Sequence, residues 1–245
     1  MRDNFSNQSA LYAQYRPTYP SELFEYIAGF VENRNTAWDC GTGNGQSAAV
    51  LSKYFKKVIA TDISSKQIDN AEKAPNIFYS VQPSENTNIE SNSVDLVTVA
   101  QAIHWFNFEN FYAEVKRVAT RNAFIAVWMY SLLRIDEPVD QIINEYHFNF
   151  LGNYWDNERK YVDDEYKNIP FPFEKINTPQ FFIEKQWSLM ELEGYLNTWS
   201  ALQKYIAANA SNPVPDLINS IKPHWGTEAK RKIIFPIHLL LGAIK

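Results

Sequence analysis

The sequence predicts an α/β domain on an open, mostly parallel sheet with helices on both faces, and three observations carry that prediction. The run Ala37-Trp38-Asp39-Cys40-Gly41-Thr42-Gly43-Asn44-Gly45-Gln46 reads as a short apolar strand, a tight turn and the start of a helix, with three of the chain's eight glycines inside five residues. A second acid, Asp62, closes the next apolar strand one helix length later. From there to about residue 130 strands and helices alternate, which demands right-handed crossovers and places any ligand at the carboxyl ends of the strands. Asp39, Asp62, Glu85 and Gln101 all fall at or just beyond such ends.

Taken in order, a helix is expected over 21–33, with Leu23, Phe24, Ile27 and Phe30 on one face and Ser21 after Pro20 as its cap. A strand then runs to Asp39, a helix from Gln46 to about Phe55, a strand over 57–62 and a helix over 65–73. Strands over 77–82 and 94–100, a helix over 108–119 and a strand over 123–129 complete this part. The stretch 131–172 is aromatic and acidic with weak periodicity and reads as a helical insertion. A strand over 181–188 follows, and Ser188-Leu189-Met190-Glu191 has the spacing of a capping box opening a long helix to about Ala208. The apolar ending, 232–244, reads as a last strand in which Pro236 requires an edge, a bulge or a strand end. The chain is thus expected to be one domain, 1–245: an N-terminal segment and helix (1–35), a ligand-binding core (36–130), the insertion (131–172) and C-terminal strands with a long helix (173–245).

Composition narrows the function. A chain of 245 residues with 45% hydrophobic residues sustains one full core, and no apolar run approaches the roughly 20 residues of a membrane span. The polar start, Met1 to Ser6, has no apolar export signal, so a cytoplasmic protein is expected. Cys40 is the one cysteine and reads as packing in the glycine turn; His104, His147, His224 and His238 lack metal-ligand spacing, so no metal is expected. With a net charge of −5 and basic residues clustered only at Lys56-Lys57 and Lys230-Arg231-Lys232, nucleic acid is an unfavourable partner.

The glycine turn fits two patterns. Counted from Gly43, the residues Gly43, Gly45 and Ala48 satisfy the dinucleotide fingerprint, with Asp62 as the ribose acid. Counted from Asp39, the run is Asp-x-Gly-x-Gly-x-Gly, which resembles motif I of the class I S-adenosylmethionine-dependent methyltransferases. Ser84-Glu85 after the third strand and the stretch from Ser93-Val94-Asp95 to Ala100-Gln101-Ala102-Ile103-His104-Trp105-Phe106 extend the likeness. So do Tyr15-Arg16-Pro17-Thr18-Tyr19-Pro20, Tyr195 to Ala201 and Trp225-Gly226. Together they resemble the small-molecule branch of that family, the methyltransferase type 11 and trans-aconitate methyltransferase-like enzymes. Ser84 departs from the Ala usual in that branch, and the apolar-Pro step after the acid is missing.

The resemblance implies a Rossmann-like fold with a seven-stranded, mostly parallel sheet whose last strand is antiparallel, a helical lid, and S-adenosyl-L-methionine as cofactor. It implies cofactor contacts at Asp39, Gly41, Gly43, Gly45, Asp62, Ile63, Ser84, Glu85 and Gln101. The segment Ala100-Gln101-Ala102-Ile103 replaces the Asp/Asn-Pro-Pro-aromatic run of enzymes that methylate nucleic-acid amino groups, and Cys40 lies in the wrong loop for attack on a base. A small-molecule acceptor, methylated on oxygen (a carboxylate among the options) or nitrogen, is the expected partner. Tyr15, Arg16, His104, Trp105 and Trp199 are its candidate contacts, with His104 the candidate base and Arg16 a candidate carboxylate clamp. Methylation of RNA, an NAD-dependent oxidoreductase and a cofactor-binding protein without turnover remain as alternatives.

Overall fold

In a computed structural model, which describes residues 15–244, Thr36–Cys40 forms β1 at the centre of the sheet. Its side chains serve both faces: Ala37 packs into one hydrophobic cluster and Trp38 into the other, the alternation a pleated strand imposes. The polar start, Met1 to Ser6, lies outside the described residues. β1 pairs in parallel with β2 (Lys57–Asp62) on one side; β3 (Ile77–Val81) continues the sheet beyond β2. On its other side β1 pairs with β4 (Val94–Ala100), followed by β5 (Ala119–Tyr130). The chain therefore changes direction across the sheet at β1 and β4, and a crevice opens beyond their carboxyl ends.

Three strands complete the sheet: β6 (Glu174–Lys175), β7 (Phe181–Trp187) and β8 (Arg231–Ala243), in the order β3-β2-β1-β4-β5-β8-β6 with β7 also on β8. The sheet has eight strands where seven are expected, because β6 and β7 lie end to end along one edge of β8 and share a single strand position. β8 runs antiparallel to its neighbours, as expected. Pro236 sits in β8 opposite the point where β5 has ended: its carbonyl accepts the Ser131 N–H at 2.9 Å, so the missing amide proton faces no ladder partner.

The helices are α1 (Ser21–Gly29), α2 (Gln46–Leu51), α3 (Ser65–Asp69), α4 (Phe108–Val118), α5 (Glu137–Asn144), α6 (Arg159–Asp163), α7 (Leu189–Leu196), α8 (Ser200–Asn209) and α9 (Val214–Trp225). α1 starts behind Pro20 without a side-chain cap, so Ser21 is its first residue rather than its cap, and α1 to α3 are shorter than the sequence suggests. The insertion is helical, with a π-helical turn over Glu145–Phe150 between α5 and α6. No helix among the described residues is long and apolar enough to cross a membrane.

Two further corrections concern the C-terminal part. The capping box forms, with the Ser188 N–H donating to Glu191 at 2.8 Å and the Glu191 N–H to Ser188 Oγ at 3.3 Å, but the helix it opens breaks after Leu196. Asn197 Nδ2 donates to the Glu193 carbonyl at 2.8 Å and Thr198 Oγ1 to the Tyr195 carbonyl at 2.6 Å, so both side chains occupy carbonyls of the last turn, and Trp199 is extended. α9 has no counterpart in the sequence reading, since its prolines look like breakers. Pro215 falls in the first turn, where the missing N–H does no harm, and Leu217, Ile221 and Trp225 form a buried stripe.

Candidate active site

β1 delivers the chain into a turn that only glycine enters freely. Gly43 adopts φ +55°, and a Cβ built there meets no protein atom within 4 Å, because that face opens on a cavity. The turn is fastened to β2 at both of its ends. Gly41 and Thr42 donate to the Thr61 carbonyl at 2.8 and 3.0 Å. Asp62 Oδ2 then accepts the Gly43 N–H and Oδ1 the Ser64 N–H, each at 2.9 Å. Gly45, also left-handed, starts α2, and a side chain there would strike the Tyr79 hydroxyl.

Asp39 stands behind this turn rather than in it. Its carboxylate is buried and accepts Thr42 Oγ1 at 2.5 Å and Thr98 Oγ1 at 2.8 Å, and burial pushes it up to about 6. It does not line the cavity, so its expected cofactor contact becomes a supporting role. Ser84 and Glu85 are also absent from the cavity wall. Glu85 Oε1 instead accepts the N–H of Asn107, the residue that caps α4, at 3.0 Å. The Ser84 hydroxyl is buried and has no partner among the described residues.

The first cavity, about 150 Å³, lies over the crevice between β1 and β4. It gathers Gly41, Gly43, Asp62, Ile63 and Gln101 from the candidate cofactor contacts, together with Arg16, Trp105 and Tyr130. Gly45 is flanked by lining residues without lining it. Gln101 follows β4 in the left-handed region at φ +56°. Its N–H donates to the Trp128 carbonyl at 2.9 Å, while its Nε2 is buried with no partner among the described residues.

A smaller cavity of about 60 Å³ adjoins the first and shares Arg16, Gln101, Trp105 and Tyr130 with it. Its remaining wall is His104 after β4, Trp155, Asp156, Arg159 and Val162 from the insertion, and Ser200 at the start of α8. His104 is buried, its Nδ1 lies 2.7 Å from the Tyr166 hydroxyl, and burial with the nearby Arg159 charge pulls it down to about 3. An imidazole so weakly basic stays neutral at ordinary pH, which argues against the general base expected there. Arg16 donates from Nη1 to Tyr130 Oη at 3.1 Å and from Nη2 to the Thr198 carbonyl at 3.2 Å, which ties the N-terminal segment to β5 and to the break before α8.

Two other candidate contacts are elsewhere. Trp199 is buried among Tyr146, His147, Trp155 and Tyr195, and Tyr15 packs its ring on Gly194; neither lines the two cavities. Conversely, Tyr130, Arg159 and Tyr166 are functional candidates that no motif marked. The sequence marked 131–172 as a helical insertion, and the resemblance implied a lid, without singling out any of its residues.

Residues 38–127 match the family described as Methyltransferase domain. Along nearly the whole chain, 98%, it is 38% identical to a Dictyostelium discoideum protein named as a methyltransferase, of which 94% is covered. The chain belongs to the class I S-adenosylmethionine-dependent methyltransferases. A Saccharomyces cerevisiae protein named as an S-adenosylmethionine-dependent methyltransferase is 28% identical over 89% of this chain and 88% of its own. The solved structure of an Anaeromyxobacter dehalogenans protein described as a type II methyltransferase superposes with a TM-score of 0.87 and 35% identity, over 94% of this chain and 98% of that one.

The cofactor of this methyltransferase is therefore S-adenosyl-L-methionine, and the first cavity fits it. Gly43 leaves a face that a Cβ would fill, Asp62 presents a carboxylate at the β2 end, and the orphaned Gln101 amide awaits an acceptor. The dinucleotide alternative loses its footing on the same grounds, since the family and the antiparallel β8 both belong to methyltransferases. Among the described residues no group of three or more His, Cys, Asp or Glu side chains is arranged to hold a metal ion.

Proposed function

We propose that this methyltransferase modifies an oxygen or nitrogen atom of a small molecule seated in the second cavity. The observation that supports this reading is the shared wall: Arg16, Gln101, Trp105 and Tyr130 border both cavities, so an acceptor in the smaller one abuts the cofactor in the larger. When bound, S-adenosyl-L-methionine supplies a methyl group on a cationic sulfur that departs as a neutral thioether. The chain's own task is then to hold the acceptor close and aligned, which intramolecular comparisons value at roughly 7–11 kcal/mol.

Each residue has a part in that task. Asp62 holds the ribose of the nucleoside end through carboxylate hydrogen bonds, Ile63 packs beside it, and the glycine turn lies against the methionine part through close backbone contact. The insertion, with Trp155 and Arg159, closes the far side and limits water, as a lid does. The size of this compartment, the net charge of −5 and the absence of a long basic run in the sequence favour a small molecule over a nucleic acid.

Calorimetric titration with S-adenosylhomocysteine and, in parallel, NAD tests the first half, and transfer of a labelled methyl group to panels of acids, alcohols and amines tests the second. Binding of S-adenosylhomocysteine alone and label on a small acceptor are expected. Label found only on added RNA would overturn the reading.

A further inference from the structure

The second cavity presents two oriented hydrogen-bond donor groups, and a buried contact sets the first of them. Tyr166 is fully buried, and its phenol has a single partner among the described residues, His104 Nδ1 at 2.7 Å. A buried hydroxyl proton needs an acceptor, and the imidazole nitrogen is the one within reach. The phenol therefore donates, Nδ1 carries no proton, and the proton of the neutral ring resides on Nε2. The ring lines the second cavity and Nε2 has no partner among the described residues, so a fixed N–H is left for whatever enters. The backbone pays for this placement: Glu165 and Tyr166 are both left-handed, at φ +57° and +60°, which turns the Tyr166 ring inward after α6.

Arg159 presents the second donor group. Trp155 lies against its guanidinium at 4.5 Å, and Asp163 takes its Nε at 3.1 Å, while both terminal nitrogens have no partner among the described residues. Held on its face and on one edge, the fork is oriented before any ligand arrives. Asp156 is the carboxylate on this wall, and it is engaged by Lys204 at 2.6 Å.

We propose that Tyr166 locks His104 as a neutral Nε2–H donor, and that this donor and the Arg159 fork select acceptors carrying an ionised carboxylate. This rests on the methyl-transfer reading above and adds the acceptor's chemical class and the role of His104. The chemistry balances without a base. A carboxylate oxygen lone pair forms the new O–CH3 bond, the S–CH3 bond breaks with its electron pair staying on sulfur, and no proton moves. An alcohol would have to lose a proton, and a locked Nε2–H cannot take it. His104 and Tyr166 are then positioning residues for the acceptor.

The test uses the full chain without cofactor and reads the imidazoles by long-range 1H–15N NMR from pH 5 to 9, with His104→Gln to assign the signal. The groups facing His104 in that range are Tyr166, Arg159, Arg16, Tyr130 and Asp156. The expected result is an Nε2–H tautomer that does not titrate. In Tyr166→Phe the lock is gone and a mixture of tautomers is expected. Sodium acetate should shift the His104 Nε2–H and Arg159 side-chain signals, and acetamide should not. Arg159→Gln should weaken the acetate response about 10- to 100-fold, as loss of charge-assisted hydrogen bonds implies, with Arg159→Lys recovering part of it. An Nδ1–H tautomer, a His104 midpoint between pH 6 and 8, or equal responses to acetate and acetamide would overturn the proposal. Failure of the methyl-transfer reading looks different, since S-adenosylhomocysteine would then not bind the first cavity whatever His104 does.

Discussion

Gly43→Ala separates the two roles a glycine can have in this turn. At φ +55° any Cβ strains the backbone, and the left-handed conformation costs an L-residue about 1–2 kcal/mol. For a chain of this size that lowers the thermal midpoint by about 2–8 °C. The new methyl meets no protein atom within 4 Å, so no packing penalty is added, and it projects into the cavity where the cofactor lies. Intrusion of one methyl into a filled site costs about 1–3 kcal/mol, or about 5- to 150-fold in affinity. Gly41→Ala has the same backbone strain, but its Cβ falls 2.7 Å from Ala102 Cβ and 3.2 Å from the Phe106 ring, so its damage is to folding. Thermal melts and calorimetric titration with S-adenosylhomocysteine on both variants give the comparison. If Gly43→Ala melts a few degrees lower yet binds S-adenosylhomocysteine within about twofold of the parent, the cavity above Gly43 is not the cofactor site and the reasoning fails.

Asp62→Ala removes the carboxylate and should weaken S-adenosylhomocysteine by about 1.5–3 kcal/mol per charge-assisted hydrogen bond lost, while Asp62→Asn, which keeps one acceptor for the two backbone N–H groups at 2.9 Å, should lose less; unchanged affinity in Asp62→Ala would end the role. Burial holds Asp39 at about 6 in the folded chain against 3.8 for an exposed aspartate, so the folded state binds the extra proton. Its stability contribution is present below the lower value and is lost as pH rises through about 6. Urea unfolding of the parent relative to Asp39→Asn should therefore decline by about 2 kcal/mol from pH 4 to pH 7, and a flat difference would contradict it. Trp199→Ala should lower stability by about 3–5 kcal/mol by emptying an aromatic cluster, with acceptor preference unchanged; a switch in preference at full stability would restore Trp199 to the pocket. Val162, which lines the second cavity and not the first, offers the converse: Val162→Phe should block methyl transfer while S-adenosylhomocysteine affinity stays within about twofold, and parallel loss of both would show that the cavities are one compartment.

What the sequence made legible follows from the range of the interactions involved. The turn around Gly43, the acid at Asp62 and the alternation of elements are local, and each needs only strand period, turn chemistry and a spacing of about 20 residues. The last strand was legible as an apolar run, and its antiparallel direction came from the family resemblance alone. The break at Asn197-Thr198 was not, since Thr198 takes a carbonyl of its own helix in a way that helix propensity alone does not decide. Ser84 and Glu85 lie off the cavity wall, and Glu85 shows why position alone does not decide such a role: a carboxylate beyond a strand end can reach a ligand or a neighbouring helix cap, and here one of its oxygens accepts the Asn107 N–H. Arg159 carried no signal because its significance comes from Trp155, Asp163 and His104, which the fold brings around it.

The same distinction in range divides the two cavities. The glycine turn and Asp62 lie within 38–127, the stretch that matches the family, and their fastening spans few residues: 19 between Gly43 and Asp62. The acceptor side is tied together by contacts 114 residues apart between Arg16 and Tyr130, 182 between Arg16 and Thr198, and 62 between His104 and Tyr166. Substitutions in the insertion alter the second set of contacts and leave the glycine turn and Asp62 untouched, because Arg159, Trp155 and Tyr166 make no bond to that turn. Acceptor choice in this fold is thus free to vary with the insertion while the methyl donor stays fixed. His104 is where the two meet: it follows the cofactor-bearing strand β4 in the chain, and a tyrosine from the insertion decides which of its nitrogens carries the proton.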